Sequence, residues 1–103
     1  MSKILVTGSG AGLGAAITKA LRLDGHEVLE FDRKRGHDVR DPCNTYQHAI
    51  RELDGLINCA GVNIAGWLED VTTKDFEEVM GINARGIFEM SKWTLPALIK
   101  SKG

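Results

Sequence analysis

A glycine-rich turn near the N-terminus most limits what this chain can fold into. Four glycines fall within seven residues, at Gly8, Gly10, Gly12 and Gly14. They separate an apolar run at residues 4–6 from a segment with helical periodicity. Glycines would weaken either element from inside it, but between the two they permit a tight turn that a ligand can approach closely. Unpaired N–H groups at the start of the following helix favour an anion, so we predict a phosphate-binding turn.

Two registers of this turn fit a dinucleotide site. One is the general fingerprint Gly10-x-Gly12-x-x-Ala15, and the other is Thr7-Gly8-x-x-x-Gly12-x-Gly14. The first glycine should stand where the strand ends, which favours the register that begins at Gly8. Ser9, Gly10 and Leu13 then belong to the same cofactor-binding turn. A plain strand-to-helix turn without a ligand is the alternative, but it needs fewer glycines.

Length and charge exclude several classes of protein. The chain has 103 residues, enough for one domain, and its formal net charge is −1. The densest basic cluster, residues 33–35, is too short to indicate nucleic acid or an anionic membrane as a partner. No apolar run reaches the roughly 18 residues that span a bilayer. Cys43 and Cys59 form no CxxC pattern and no metal-ligand spacing, so we expect reduced thiols, no metal and a cytoplasmic location.

Hydrophobic periodicity predicts alternating strands and helices. The predicted strands cover residues 3–7, 27–32, 36–39 and 55–59, and the predicted helices cover residues 12–23, 42–53 and 72–100. This order is typical of an α/β fold, a Rossmann-like three-layer sandwich with flanking helices. Right-handed crossovers would give a partial parallel sheet in the order 3-2-1-4.

The last predicted helix carries an unusual polar residue. Thr72 and Asp75 match a capping box at its start. Asn83 lies within an apolar stripe that includes residues 76, 79, 80, 87, 90 and 94. A buried amide must find hydrogen-bond partners, so we expect a specific role for Asn83. Gly81 and Gly86 favour a kink around it, and Pro96 and Gly103 are expected to mark the end of the helix.

An acidic residue follows the second predicted strand at an informative distance. Asp32 lies 18 residues after Gly14, where a carboxylate meets the adenosine ribose hydroxyls of NAD. A carboxylate repels the extra phosphate of NADP, whereas the adjacent Arg33 could attract it. NAD is therefore favoured over NADP, and dual use stays open. The alternative reading of Asp32 is a turn residue that ends the strand.

Four signatures in order resemble the N-terminal half of the short-chain dehydrogenase/reductase family. They are the turn from Thr7 to Gly14, Asp38-Val39, Asn58-Cys59-Ala60-Gly61, and Asn83. The resemblance implies that Asp38 and Val39 contact adenine. It also implies that Asn58, Ala60 and Gly61 pass beside the ribose and nicotinamide, and that Asn83 belongs to the catalytic set. Cys59 stands where the family has a second Asn, so the contacts of that amide do not transfer.

The rest of that family's catalytic set does not occur in these residues. Members carry a Ser on a fifth strand and a Tyr-x-x-x-Lys motif, but the only tyrosine here is Tyr46, with Ile50 four residues on. We therefore expect residues 1–103 to form a single truncated Rossmann dinucleotide-binding domain that is catalytically incomplete. The alternatives are a non-catalytic dinucleotide-sensing or oligomerisation module, and an enzyme completed by another chain.

The C-terminal helix predicts self-association. Apolar residues occupy more than one of its faces, and the fourth predicted strand lacks a neighbour on one side. In the family that the chain resembles, this helix packs in a subunit interface. We expect a homo-oligomer formed through helix 72–100, with the edge of the fourth strand as a second candidate contact.

Overall fold

A computed structural model describes all residues from 1 to 103. The strands are β1 (Lys3–Thr7), β2 (Glu27–Phe31) and β3 (Gly55–Asn58). The helices are α1 (Gly12–Leu23), α2 (Pro42–Thr45), α3 (Thr73–Met80) and α4 (Gly86–Ser101). A π-helical turn, Gly81–Arg85, joins α3 to α4, and single 3-10 turns occupy Arg33–Arg35 and Leu68–Asp70.

The three strands form one parallel sheet in the order β2-β1-β3. Leu5 of the central strand pairs with Leu29 on one side and Leu56 on the other. Leu5 and Val6 are fully buried, as expected for a strand with neighbours on both sides. The structure confirms the α/β Rossmann-like class with flanking helices, and β3 is an edge strand as predicted.

The predicted strand at residues 36–39 is wrong, so the sheet lacks the outer strand of the order 3-2-1-4. Gly36 adopts a left-handed conformation with φ of 88°. The backbone groups that would pair with β2 are used locally instead. The Asp32 carbonyl accepts from the N–H groups of Arg35 and His37, and the Asp38 N–H donates to Thr45 Oγ1 at 2.9 Å. The remaining strands keep their predicted relative order.

The predicted helix over residues 42–53 is also wrong beyond Thr45. Tyr46 is extended, with φ of −105° and ψ of 118°. Its ring stacks on Phe31 with centroids 5.5 Å apart and meets Trp93 edge-on at the same distance. Leu53 is fully buried, and its N–H donates to the Ala97 carbonyl on α4. Residues 46–54 therefore lie against α4 as irregular chain, because aromatic packing and contacts to α4 replace the helical hydrogen bonds.

The single helix predicted over residues 72–100 consists of α3, the π-helical turn and α4. It begins with the predicted capping box, since Thr72 and Asp75 exchange both hydrogen bonds. The helix ends at Ser101, one residue beyond the predicted bound and shortly before Gly103, but Pro96 lies inside α4 and does not contribute to its end. The predicted apolar stripe is buried only in part. Met90 and Thr94 are buried, but Phe76, Met80 and Ile87 are exposed. No helix of the structure is both long enough and apolar enough to cross a membrane.

Candidate functional site

A groove of about 520 Å³ opens at the carboxyl ends of the three strands. This edge of a parallel sheet is the usual place for ligands in α/β folds. Seven of the residues that the sequence nominates line it: Gly8, Asp32, Arg33, Asp38, Val39, Ala60 and Gly61. The other nominated residues, Ser9, Gly10, Gly12, Leu13, Gly14, Asn58 and Asn83, do not line its wall. The structure thus gathers residues that follow all three strands around one groove.

The glycine-rich turn has the geometry of the register that begins at Gly8. Gly8 has φ of 67°, and a Cβ on Gly14 would overlap the Gly8 carbonyl oxygen. Gly12 has φ of 55° and faces open space. Only glycine fits the close approach of α1 to this turn, because any side chain at residue 14 would push the two apart.

The start of α1 leaves several donors unpaired. The backbone N–H groups of Gly12, Leu13 and Gly14 have no acceptor within the chain, and Ala11 provides no side-chain cap. Ser9 precedes them in the same turn and is only 3% exposed, and its hydroxyl has no hydrogen-bond partner. A buried polar atom without a partner is costly. These donors therefore suit an anionic ligand such as a pyrophosphate.

Asp32 begins the loop after β2 and is itself 7% exposed. Its carboxylate accepts hydrogen bonds from the Gly10 N–H and, at 2.8 Å, from the Lys34 N–H. A carboxylate has about four acceptor positions, so two remain for ligand hydroxyls. The side chain therefore joins the glycine turn to the loop that follows β2. A Cβ on Gly10 would overlap this carboxylate, which explains the second glycine of the turn.

The His37 ring is hydrogen-bonded to the backbone of Asp32. Its Nδ1 accepts a hydrogen bond of 3.0 Å from the Asp32 N–H, so this nitrogen must be unprotonated. The ring packs against Phe31 and Tyr46, with both centroid distances 4.9 Å. Burial, and to a lesser extent Arg35, lowers the pKa of His37, which favours the neutral ring that this hydrogen bond requires. His37 was not among the residues nominated from the sequence.

Asp38 is bound to a residue that sequence reasoning missed. Arg40 donates to its carboxylate from Nε and Nη2, each at 3.0 Å, and from its backbone N–H at 2.9 Å. The hydrogen bonds from Arg40 hold the pKa of Asp38 below its usual value, and Asp38 in turn raises the pKa of Arg40. Asp38 is therefore a fixed anion at the groove. Its spacing of two residues from Arg40 was the signal that could have indicated this pair.

Asn83 has specific hydrogen-bond partners, as predicted. It is exposed, however, whereas the sequence predicted a buried amide. Its Oδ1 accepts from the Val62 N–H and its Nδ2 donates to the Val62 carbonyl, both at 2.8 Å. The amide thus fixes the chain that follows β3 to the π-helical turn. Both polar atoms of Asn83 are already engaged by the backbone of Val62.

Thr7 fixes the other end of that chain. Its Oγ1 accepts hydrogen bonds of 3.0 Å from the N–H groups of both Cys59 and Ala60. The groove is also lined by residues that were not nominated from the sequence, among them Lys34, Cys59, Val62 and Ile82. Lys34 directly follows the nominated pair Asp32-Arg33, whereas Val62 and Ile82 carried no signal beyond their apolar character.

Comparison with known proteins places this geometry in a family. The family model described as short chain dehydrogenase matches residues 28–103, which begin after the glycine turn. The chain is 26% identical to meso-2,3-butanediol dehydrogenase of Serratia marcescens over 124 aligned residues, covering 97% of this chain and 49% of that protein. It is 30% identical to cis-1,2-dihydrobenzene-1,2-diol dehydrogenase of Pseudomonas putida, covering 96% of this chain and 46% of that protein.

Solved structures agree with the fold. Aldohexose dehydrogenase of Thermoplasma acidophilum superposes with a TM-score of 0.83 over 97% of this chain and 45% of its own, at 23% identity. A short-chain dehydrogenase/reductase variant of Serratia marcescens superposes with a TM-score of 0.81 at 26% identity, over 94% of this chain and 52% of its own. The chain spans about half the length of the curated relatives that it matches. On the strength of the family match, the chain belongs to the short-chain dehydrogenase family, which implies an NAD(P) cofactor.

Proposed function

We propose that this chain binds a nicotinamide dinucleotide across the groove and the adjoining glycine turn, with NAD preferred over NADP. The observation that carries the proposal is the glycine turn, where three unpaired N–H groups and the orphaned Ser9 hydroxyl lie at the start of α1. The pyrophosphate would be held by Gly8, Ser9, Gly10, Gly12, Leu13 and Gly14. When bound, such a cofactor supplies hydride-transfer chemistry.

The remaining nominated residues would hold the two nucleoside ends. Asp32 and Arg33 would meet the adenosine ribose, and Asp38 and Val39 the adenine. Asn58, Ala60 and Gly61 would pass beside the nicotinamide ribose. The two free acceptor positions on the Asp32 carboxylate support this assignment, because ribose hydroxyls are donors and an added phosphate would be repelled.

We further propose that these 103 residues do not turn over substrate on their own. They contain no Tyr-x-x-x-Lys, so of the family's catalytic set only Asn83 is present. A positioned general acid or base typically contributes 10²–10⁴-fold to the rate. These residues would then form the cofactor-binding part of an oxidoreductase whose remaining catalytic residues lie outside them. A dinucleotide-sensing or oligomerisation module, and an enzyme completed by another chain, are the alternatives.

Two measurements test these proposals. Titration of the purified chain with NADH and NADPH, followed by cofactor fluorescence, should give saturable binding that is tighter for NADH. An absence of saturable binding for both would contradict the proposed function. Hydride transfer is assayed separately with a panel of alcohols and ketones, and turnover by the purified chain would contradict the proposal that it is catalytically incomplete.

Self-association through α4 is a further part of the proposal. Phe88, Leu95 and Ile99 are each more than half exposed on this helix. The radius of gyration is 14.7 Å, against about 13 Å expected for a compact domain of this length. Exposed apolar side chains of this size are typical of contact surfaces. We therefore propose a homo-oligomer through residues 72–100, with the free edge of β3 as a second candidate contact.

A further inference from the structure

Three cations and three carboxylates meet at the mouth of the groove beside the end of β2. The cations are Arg33, Lys34 and Arg40, and the carboxylates are Asp32, Asp38 and Glu78. All of them except Glu78 line the groove itself. Because their formal charges balance, removal of one carboxylate would leave this mouth with a net positive charge.

Glu78 lies on α3 and contacts two of the cations, one with each carboxylate oxygen. Its Oε1 is 3.8 Å from Arg33 Nη2, and its Oε2 accepts a hydrogen bond of 3.1 Å from Arg40 Nη1. Arg40 is also held by Asp38, as described above. Glu78, in contrast, is the only carboxylate within 4 Å of the Arg33 guanidinium. The charge of the Arg33 guanidinium is therefore compensated by Glu78 more than by any other acidic residue.

We propose that Glu78 is a specificity-determining residue that disfavours a phosphate on the adenosine ribose. The inference rests on the proposed dinucleotide function. Arg33 follows Asp32 directly at the end of β2, where the ribose is expected, and a guanidinium is well suited to bind a phosphate. Glu78 competes with such a phosphate for the Arg33 guanidinium. Its own charge also repels the phosphate across the mouth of the groove.

Asp32 supplies only part of this discrimination. Its carboxylate already accepts two backbone N–H groups, which compensate part of its charge. The Glu78 side chain is 38% exposed, so its charge reaches ligands that approach from solvent. The two carboxylates therefore act in different ways. Asp32 provides acceptors for ribose hydroxyls, and Glu78 keeps Arg33 from serving as a phosphate-binding residue.

The test compares Glu78→Gln with the matched control Glu77→Gln in the full 103-residue chain. Glu77 is an exposed neighbour on the same helix and has no ion pair. Dissociation constants are measured for NADH and NADPH by fluorescence. They are then measured for 5′-AMP and 2′,5′-ADP by calorimetry, since these two ligands differ only by the 2′-phosphate. Thermal unfolding establishes that the variants remain folded.

Glu78→Gln should improve the affinity for NADPH relative to NADH, and for 2′,5′-ADP relative to 5′-AMP. We expect a change of about two- to fivefold at low salt, the range for exposed ion pairs. High salt should reduce the change. Glu78→Gln introduced into Arg33→Gln should give a smaller change, because only the direct repulsion by Glu78 is then removed. An unchanged ratio, or an equal change in Glu77→Gln, would overturn the role of Glu78 while leaving dinucleotide binding intact. Failure of the unaltered chain to bind either dinucleotide would instead contradict both proposals.

Discussion

Asn83 and Val62 exchange two hydrogen bonds of 2.8 Å, one in each direction between a side-chain amide and a single backbone residue. The pair connects the π-helical turn to the chain that leaves β3. Its geometry uses both ends of the amide, so no other side chain of similar size can reproduce it.

Asn83→Asp should therefore destabilise the protein, because a carboxylate oxygen would face the Val62 carbonyl in place of the amide donor. We expect a loss of about 0.5–1.5 kcal/mol in the free energy of unfolding, the range for a hydrogen bond whose partners can still reach water. Chemical denaturation measures this loss, and hydrogen exchange at the Val62 N–H should become faster. The control Asn63→Asp changes an exposed amide that makes no hydrogen bond. Equal stability of the two variants would contradict the importance of the Asn83 contact.

Gly14→Ala should be more harmful than Gly12→Ala. The added methyl at residue 14 would overlap the Gly8 carbonyl oxygen, whereas the one at residue 12 meets open space. We expect Gly14→Ala to cost about 3 kcal/mol, the upper part of the range for overpacking. Gly12→Ala should cost about 1–2 kcal/mol from its left-handed backbone. Thermal unfolding ranks the two, and the reverse order would show that the approach of α1 to Gly8 is not the constraint.

Asp32→Ala should weaken NADH binding by about tenfold or more, the loss expected when hydrogen bonds to a charged group are removed. It should also lower stability, because the Gly10 and Lys34 N–H groups lose their acceptor. Titration by fluorescence gives the affinity. The exposed Asp70→Ala is the matched control. NADH affinity that is the same in both variants would exclude Asp32 as the ribose ligand.

Stability should depend on pH through His37. Because the folded pKa of this ring lies below its value of 6.5 in the unfolded chain, the unfolded state binds more protons as the pH falls below about 6.5. The contribution of His37 is therefore complete above that pH and is lost as the pH falls toward the lowered folded pKa. Melting temperatures between pH 5 and pH 8 measure the slope.

His37→Gln should flatten this slope, because an amide oxygen can accept the Asp32 N–H at every pH in the range. His48→Gln serves as the control and should keep most of the slope, because the charge of His48 is the smallest of the causes that act on the pKa of His37. A slope that persists in His37→Gln would assign the pH dependence to another group.

Phe88→Glu should shift the protein from oligomer to monomer, because the side chain is 60% exposed on α4. Light scattering measures the mass of the unaltered chain and of the variant. Lys19→Glu, on the exposed face of α1, should leave the mass unchanged. A monomeric unaltered chain would contradict the proposed self-association.

The central part of the fold could be predicted from sequence because local patterns and packing agree there. β1, α1 and β2 follow from an apolar run, a glycine turn and a helical stripe, and the structure has all three within one residue of the expected bounds. The segment after Asp32 could not be predicted in the same way. Gly36 and the His37 ring satisfy the local backbone, so the strand expected at residues 36–39 is not formed.

The residues around the groove also divide into those that could be predicted from sequence and those that could not. Asp32 and Gly61 could be placed near the groove because each comes soon after a strand, and Asp38 because it belongs to one of the family signatures. The contact of Arg40 with Glu78 could not be predicted, because these two residues lie 38 positions apart in the chain. Such pairs depend on how α3 lies over the loop that follows β2, which no local pattern encodes.

The π-helical turn Gly81–Arg85 sets the angular phase of everything after it. A π-helical turn joins residue i to residue i+5 and so holds one residue more than an α-helical turn, in which each residue advances the helix by about 100°. Insertion of a further residue there would therefore rotate the faces of α4 by roughly that angle. Met90 and Thr94 would leave the interior together, and Glu89 and Trp93 would take their places. The length of this short turn thus works as a rotational register, which makes residues 81–85 far less tolerant of insertion than of substitution.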